Sequence, residues 1–208
     1  MDVAVADTVA RMPGLPTAII LAAGLSRRAA PRHKLLLPAP DGSGRTVVRA
    51  TVEAFCGAAP HLAEIVVVTG HARAEIEAAL AGLPVRGVFA SDFAQGMGHS
   101  LAAGVRATNP DTPGFLVSPG DLPGLGPALV ARVAAAANAG EPPFRRHIVP
   151  TADGRRGHPV FLGSWLREAL SKLTGDMGAR LLLQLPRERS RTDLLEVRDE
   201  AILRDVDA

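Results

Sequence analysis

Four cations, Arg27, Arg28, Arg32 and Lys34, follow closely on the apolar run Ala18–Leu21 and the nearly side-chain-free step Ala22-Ala23-Gly24. Backbone N–H groups of so small a step can approach an anion closely, and the cations carry enough charge to neutralise a triphosphate. Further along, Asp121 stands in Gly120-Asp-Leu-Pro123 after a second apolar run, Phe115–Ser118. A carboxylate on a stiff turn suits a hard cation such as Mg²⁺, which is held by one or two carboxylates and by substrate phosphates. Together the two stretches predict a site that binds a nucleoside triphosphate with its metal. The competing reading is a pair of ordinary turns, one with solvated arginines and one with a turn aspartate.

These groups need elements that place them side by side. Ala18–Leu21, Ile65–Thr69, Val85–Phe89 and Phe115–Ser118 are apolar runs of strand length. They alternate with helical stretches: one capped by Thr46 and running to about Gly57, one over Ala72–Ala81, one after Gly96 and one over Gly126–Ala139. Such alternation predicts parallel βαβ units with ligands at the carboxyl ends of the strands. The end of the second strand adds Thr69 and Gly70, and the loop Gln95-Gly96 with Ser100 offers a further polar contact or simply a capped helix start. Arg146–Thr151 and His158–Leu162 read as two strands overhanging this half. Trp165–Ser171 reads as helical, Thr174–Arg180 as the start of a helix carrying Leu181–Leu183, and Leu194–Val197 and Ile202–Val206 as closing strands. The organisation expected is an extension over residues 1–16 and one domain over 17–208, with a nucleotide-binding part to 140 and an acceptor-binding part from 141.

Composition narrows the classes. With 208 residues, 47% of them hydrophobic, a core can form without cross-links. A formal net charge of +2 and 3% aromatics argue against a nucleic-acid-binding protein. Cys56 is the single cysteine, which excludes an intrachain disulfide, and it reads as a core filler. No apolar run is long enough to span a membrane, and the expected location is cytoplasmic.

The ordered set L-A-A-G-x-S-x-R (Leu21–Arg28), Lys34, Gln95-Gly96 with Ser100, Gly120-Asp121, Gly157-His158-Pro159 and Gly175-Asp-Met-Gly-Ala-Arg180 resembles the nucleotidyltransferases that attach CMP or GMP to the molybdenum cofactor. The resemblance spans Thr17 to Asp207 and implies a Rossmann-like three-layer α/β/α fold of glycosyltransferase-A type, with a mostly parallel central sheet. It implies transfer of CMP from CTP to the terminal phosphate of molybdenum-molybdopterin, with Mg²⁺ as cofactor and pyrophosphate as product. Catalysis then falls to Arg28, Lys34 and Asp121. Nucleotide contacts fall to Leu21, Ala22, Ala23, Gly24, Ser26, Lys34, Thr69, Gly70, Gln95, Gly96, Ser100 and Gly120. Acceptor contacts fall to Gly157, His158, Pro159, Asp176 and Arg180, and the metal to Asp121 with Asp207. Many relatives have glycines where this chain has Ala30 and Pro31, which implies a stiffer loop. Ala23 stands where the guanylyl branch has glycine and favours CTP over GTP. Other readings are a GTP-using enzyme, a sugar- or polyol-phosphate nucleotidyltransferase, or a binding protein that delivers the finished cofactor to a molybdoenzyme.

Overall fold

A computed structural model describes residues 14–25, 33–140, 142–176 and 178–206. Ser26, Arg28 and Asp207, together with Arg27, Ala30, Pro31 and Arg32, lie outside the described residues, as do residues 1–13. The centre of the molecule is β1 (Thr17–Ala22), bonded in parallel to β2 (Glu64–Thr69) on one edge and to β4 (Gly114–Pro119) on the other. Beyond β2 lies parallel β3 (Arg86–Phe89). Beyond β4 the sheet takes in antiparallel β7 (Val160–Gly163) and then β5 (His147–Ala152), to which β6 (Arg155–Arg156) and β8 (Thr192–Glu196) pair. The sheet is therefore mixed, with parallel pairing dominant around β1.

Alternation along β1 sends successive side chains to opposite layers. Ala18, Ile20 and Ala22 join the core shared with α1 (Val47–Gly57), α2 (Arg73–Ala79) and α4 (Pro127–Asn138). Ile19 and Ala23 join the opposite core, under α3 (Met97–Ala107) and near α5 (Arg167–Ser171). All of Ala18, Ile19, Ile20 and Ala22 are fully buried. That accounts for an apolar run without polar alternation, as expected of a strand covered on both faces. Thr46 caps α1, its hydroxyl accepting from the Arg49 N–H at 3.4 Å, and Cys56 packs half-buried beside the first core.

Three sequence expectations are corrected. The segments around 146–151 and 158–162 do not overhang the first half; β7 is inserted between β4 and β5 in the same sheet. Residues 174–183 form no long helix. Gly175 has φ +66° and its carbonyl accepts from Gly98 N–H at 2.7 Å, so only a 3-10 turn at Leu182–Gln184 remains before Pro186 starts the short α6 (Pro186–Arg189). Residues 202–206 form no strand. Asp199 caps a 3-10 turn at Glu200–Ile202, and the turn bonds to the Gly157-His158 segment, the Ile202 carbonyl accepting from His158 N–H at 3.0 Å.

The β4–β7 junction relies on small residues. Gly114 faces Gly163 across the ladder, and a Cβ at Gly114 would lie 2.4 Å from Phe161 Cζ and 2.6 Å from the Leu162 carbonyl oxygen. A backbone oxygen cannot yield as a side-chain tip can. Gly114→Ala is therefore expected to cost about 1–3 kcal/mol by overpacking, read as a lower urea midpoint with an unchanged slope.

Candidate functional site

β1 and β4 both end where the strand order reverses, and a cleft of about 510 Å³ opens there. Its volume is in the range of small-molecule sites. Leu21, Ala23 and Gly24 form the floor, continuing β1. Gln95, Gly96 and Ser100 form one wall, contributed by the loop before α3 and by its first turn. Lys34, on a 3-10 turn anchored by buried Leu35, lines it as well. Asp121 and Asp176 complete the set of expected residues that line it.

Lys34 does not extend freely toward solvent as its position after a loop suggests. Its ammonium pairs with Asp121 Oδ2, with side-chain exposures of 28% and 11%. Asp121 Oδ1 is buried and has no hydrogen-bond partner among the described residues. A buried carboxylate oxygen left bare is costly unless something cationic meets it, so this aspartate fits a divalent cation. Among the described residues no cluster of metal-ligating side chains surrounds it; further ligands have to come from substrate phosphates, water or the chain beyond Val206. The Val206 N–H donates to the Asp121 carbonyl at 3.0 Å, which brings the described end of the chain to the same turn.

Glycines let neighbouring loops meet the cleft wall. Gly96 has φ +125°, and a Cβ there would lie 2.3 Å from the Gly175 carbonyl carbon and 2.7 Å from Asp176 Oδ1. The Gln95-Gly96 loop and the Gly175-Asp176 segment are thus pressed backbone to backbone, which is how residues eighty positions apart in sequence come to face one cleft.

Several expected residues sit behind the cleft instead of in it. Ala22 points into the first core. Thr69 is buried with its hydroxyl donating to the Val88 carbonyl at 3.4 Å. Gly70 backs Ala23, since a Cβ on it would lie 2.9 Å from the Ala23 methyl and 2.5 Å from Phe93. The Gly120 N–H is spent on the Leu21 carbonyl at 2.9 Å. Gly157 is packed against Ile202, whose carbonyl oxygen would be 2.5 Å from an added Cβ, and Pro159 is buried after a cis peptide. His158 is partly buried, and Arg180 is exposed and does not line the cleft. Leu25, Phe93 and Met97 do line it and were not anticipated. Their only sequence signal was proximity to expected residues, because apolar side chains at loop positions carry no chemical signature.

Two histidines stack beside the site, and a third is buried at the far end of the sheet. His33 Nε2 lies 2.9 Å from the Gly24 carbonyl, and its ring stacks on His71 at 5.7 Å, which in turn meets Phe93 at 6.5 Å. At the opposite, amino-terminal end of β5, buried His147 bonds Glu188 at 3.0 Å and accepts the Gly163 N–H at 3.2 Å. Burial pushes the Glu188 carboxyl up, but hydrogen bonds from Trp165 and His147 and the Arg191 charge outweigh it and hold it below its ordinary value.

Burial lowers the pKa of His33, His147 and His158 below the ordinary 6.5, against opposing pulls from the Gly24 carbonyl, Glu188, and the Val117 carbonyl with Asp121 respectively. The unfolded chain therefore takes up protons at these positions at a higher pH than the folded one. Their contribution to stability is complete above 6.5 and is lost as pH falls through the folded values. The melting temperature is expected to be flat from pH 8 to 7 with respect to these groups and to drop progressively below 6.5, as followed by scanning calorimetry across that range.

Comparison with known proteins fits this geometry. The chain belongs to the MobA-like NTP transferase domain family, which it matches over residues 18–193. It is 34% identical over 197 residues to nicotine blue oxidoreductase of Paenarthrobacter nicotinovorans, covering 92% of this chain and 91% of the relative. It is 41% identical over 100 residues to phosphoenolpyruvate guanylyltransferase of Streptomyces coelicolor, covering 47% of this chain and 43% of that one. The solved structure of Rv0371c from Mycobacterium tuberculosis H37Rv in complex with manganese superposes with a TM-score of 0.72 at 25% identity over 89% of each chain. The fold is thus the Rossmann-like nucleotidyltransferase fold, and the chain is an enzyme of nucleotidyltransferase kind. Among the described residues no helix is long and apolar enough to cross a membrane.

Proposed function

We propose that this member of the MobA-like NTP transferase family transfers CMP from CTP to the terminal phosphate of molybdenum-molybdopterin. An acceptor phosphate oxygen bonds to the α-phosphorus of CTP, the bond to the β-phosphate oxygen breaks, and pyrophosphate leaves. The observation that carries the reading is the meeting of Lys34 and Asp121 at a cleft floored by Ala23 and Gly24, in a family of nucleotidyltransferases. Both reactants are anions, so catalysis consists of positioning them in line and stabilising the charge that develops at phosphorus. Lys34 supplies one fixed cation. Asp121, with Asp207 as candidate second ligand, would hold a divalent cation, Mg²⁺ or Mn²⁺, which neutralises phosphate charge when bound. The manganese-bound relative supports a divalent metal in this fold. Arg28 and Ser26, outside the described residues, are the further phosphate contacts that the family resemblance implies.

On the acceptor side, Asp176 is the assigned residue that reaches the cleft. As an anion it suits the ring N–H and amino donors of a pterin and not its phosphate. Ala23 supports CTP as the position that, by the resemblance, separates the cytidylyl from the guanylyl branch; its buried methyl packs on the Gly70 position behind the cleft floor. A second reading comes from the relative named as nicotine blue oxidoreductase: the same cleft would hold the pyrophosphate of a redox dinucleotide and pass electrons to a dye. Incubation with each nucleoside triphosphate, Mg²⁺ and molybdenum cofactor, with the product identified by mass, tests transfer; bleaching of a quinoid dye by reduced dinucleotide without added triphosphate would favour the redox reading instead.

Two substitutions probe the assignments. Lys34→Ala and Asp121→Asn are each expected to lower kcat by about 10²–10³ through lost charge stabilisation, with far-ultraviolet circular dichroism unchanged; wild-type turnover in either variant removes that residue from the mechanism. Ala23→Gly removes the methyl packed behind the floor, lets the strand-end backbone settle back from the base, and is expected to raise the GTP/CTP ratio of kcat/KM several-fold. An unmoved ratio would place base choice elsewhere in the cleft.

A further inference from the structure

Asp121 holds its charge in an unusual balance. Its side chain is 11% exposed, and one oxygen is taken by the Lys34 ammonium while the other is buried without a hydrogen-bond donor among the described residues. A lone cation partner in a partly buried site attracts strongly, because little water screens the pair. It also repels any second cation that approaches the same carboxylate. The Lys34 backbone is fixed through buried Leu35 in the 3-10 turn Lys34–Leu36, and among the described residues its ammonium is held by Asp121. Its side chain is 28% exposed and lines the cleft, so the flexible four-carbon stem lets the ammonium move without disturbing the fold.

We infer that Lys34 is a placeholder cation: in the free protein it occupies Asp121 against a divalent metal, and an entering nucleoside triphosphate draws it onto the phosphates and releases the carboxylate to the metal. This deepens the transferase reading and rests on it for the nucleotide. The consequence is coupling between the ligands. Metal binds weakly to the empty protein, and triphosphate raises metal affinity both by adding phosphate ligands and by removing a competing charge. Coupling of this kind is reciprocal, since any ligand that favours one position of Lys34 favours the other ligand that needs it there.

The test uses no nucleotide and reads metal affinity directly. Full-length wild type, Lys34→Met, Lys34→Gln, Asp121→Asn and the Lys34→Met/Asp121→Asn double variant are titrated with Mn²⁺, the free ion being counted by its paramagnetic resonance signal. Removing the competing charge is expected to tighten Mn²⁺ binding about tenfold or more in Lys34→Met, with Lys34→Gln giving a gain of the same sign should the methionine variant fold poorly. The double variant is expected to lose that gain, which localises it to Asp121. Mn²⁺ affinity in both lysine variants equal to or weaker than wild type would overturn the inference, as would a gain that persists without the aspartate. Because no substrate is present, such a result is separable from a failure of the transferase reading, which shows itself as no pyrophosphate release from any triphosphate by the wild-type protein.

Discussion

The site depends on β1 being paired along both edges to its end and then released. Its ladder to β2 runs to Ala22 against Thr69 and its ladder to β4 to Leu21 against Pro119. Immediately beyond, the neighbouring chains leave in different directions, held only by single bonds such as Gly120 N–H to Leu21 carbonyl. The backbone of Ala23 and Gly24 is thereby left facing a crevice and not a strand. Every group with chemical potential, from Lys34 to Asp121, hangs on that divergence. It is the general behaviour of open α/β sheets at the point where strand order reverses.

Close backbone approach is the second constraint. Gly96 against Gly175, Gly98 against Thr174, and Gly157 against Ile202 each leave no room for a Cβ. The first two contacts bring the Thr174–Asp176 segment onto the start of α3, and Val206 bonds to Asp121, so that the last third of the chain meets the middle third at the cleft. They also explain why the G-H-P residues are packed behind Asp121 instead of lining the cleft: their backbone is committed to Ile202, and His158 lies near enough for the Asp121 charge to be felt at its ring. Gly157 and Pro159 thereby pack behind the Asp121 turn and do not line the cleft.

Much of the architecture was legible in the chain itself. Continuous apolar runs announced strands buried on both faces, and Thr46, Gly57, Gly126 and Ala139 marked helix limits that the structure reproduces within a residue or two. Lys34 and Asp121 stood out because a charged residue beside a small-residue turn at a strand end is a chemical pattern as well as a structural one. The ordered motifs likewise pointed to the nucleotidyltransferase family that the comparisons establish. What fails is local reasoning about the last third. Leu181–Leu183 has helical composition, yet Gly175 in the left-handed region and the commitment of its carbonyl to Gly98 prevent a helix.

Sequence by itself determined which strands are buried and which residues carry charge to their ends, because burial pattern and residue chemistry are properties of neighbouring positions. Only the tertiary structure decided which of those residues share a space. Face alternation sends Ala22 into one core and Ala23 into the other, leaving the backbone after them at the cleft. Register places Gly120's amide on Leu21. The pairing of Lys34 with Asp121, eighty-seven positions apart, is invisible to any local pattern. Such pairings depend on strand order and on how closely backbones approach, and both are settled by packing the whole chain into one sheet rather than by any stretch of it.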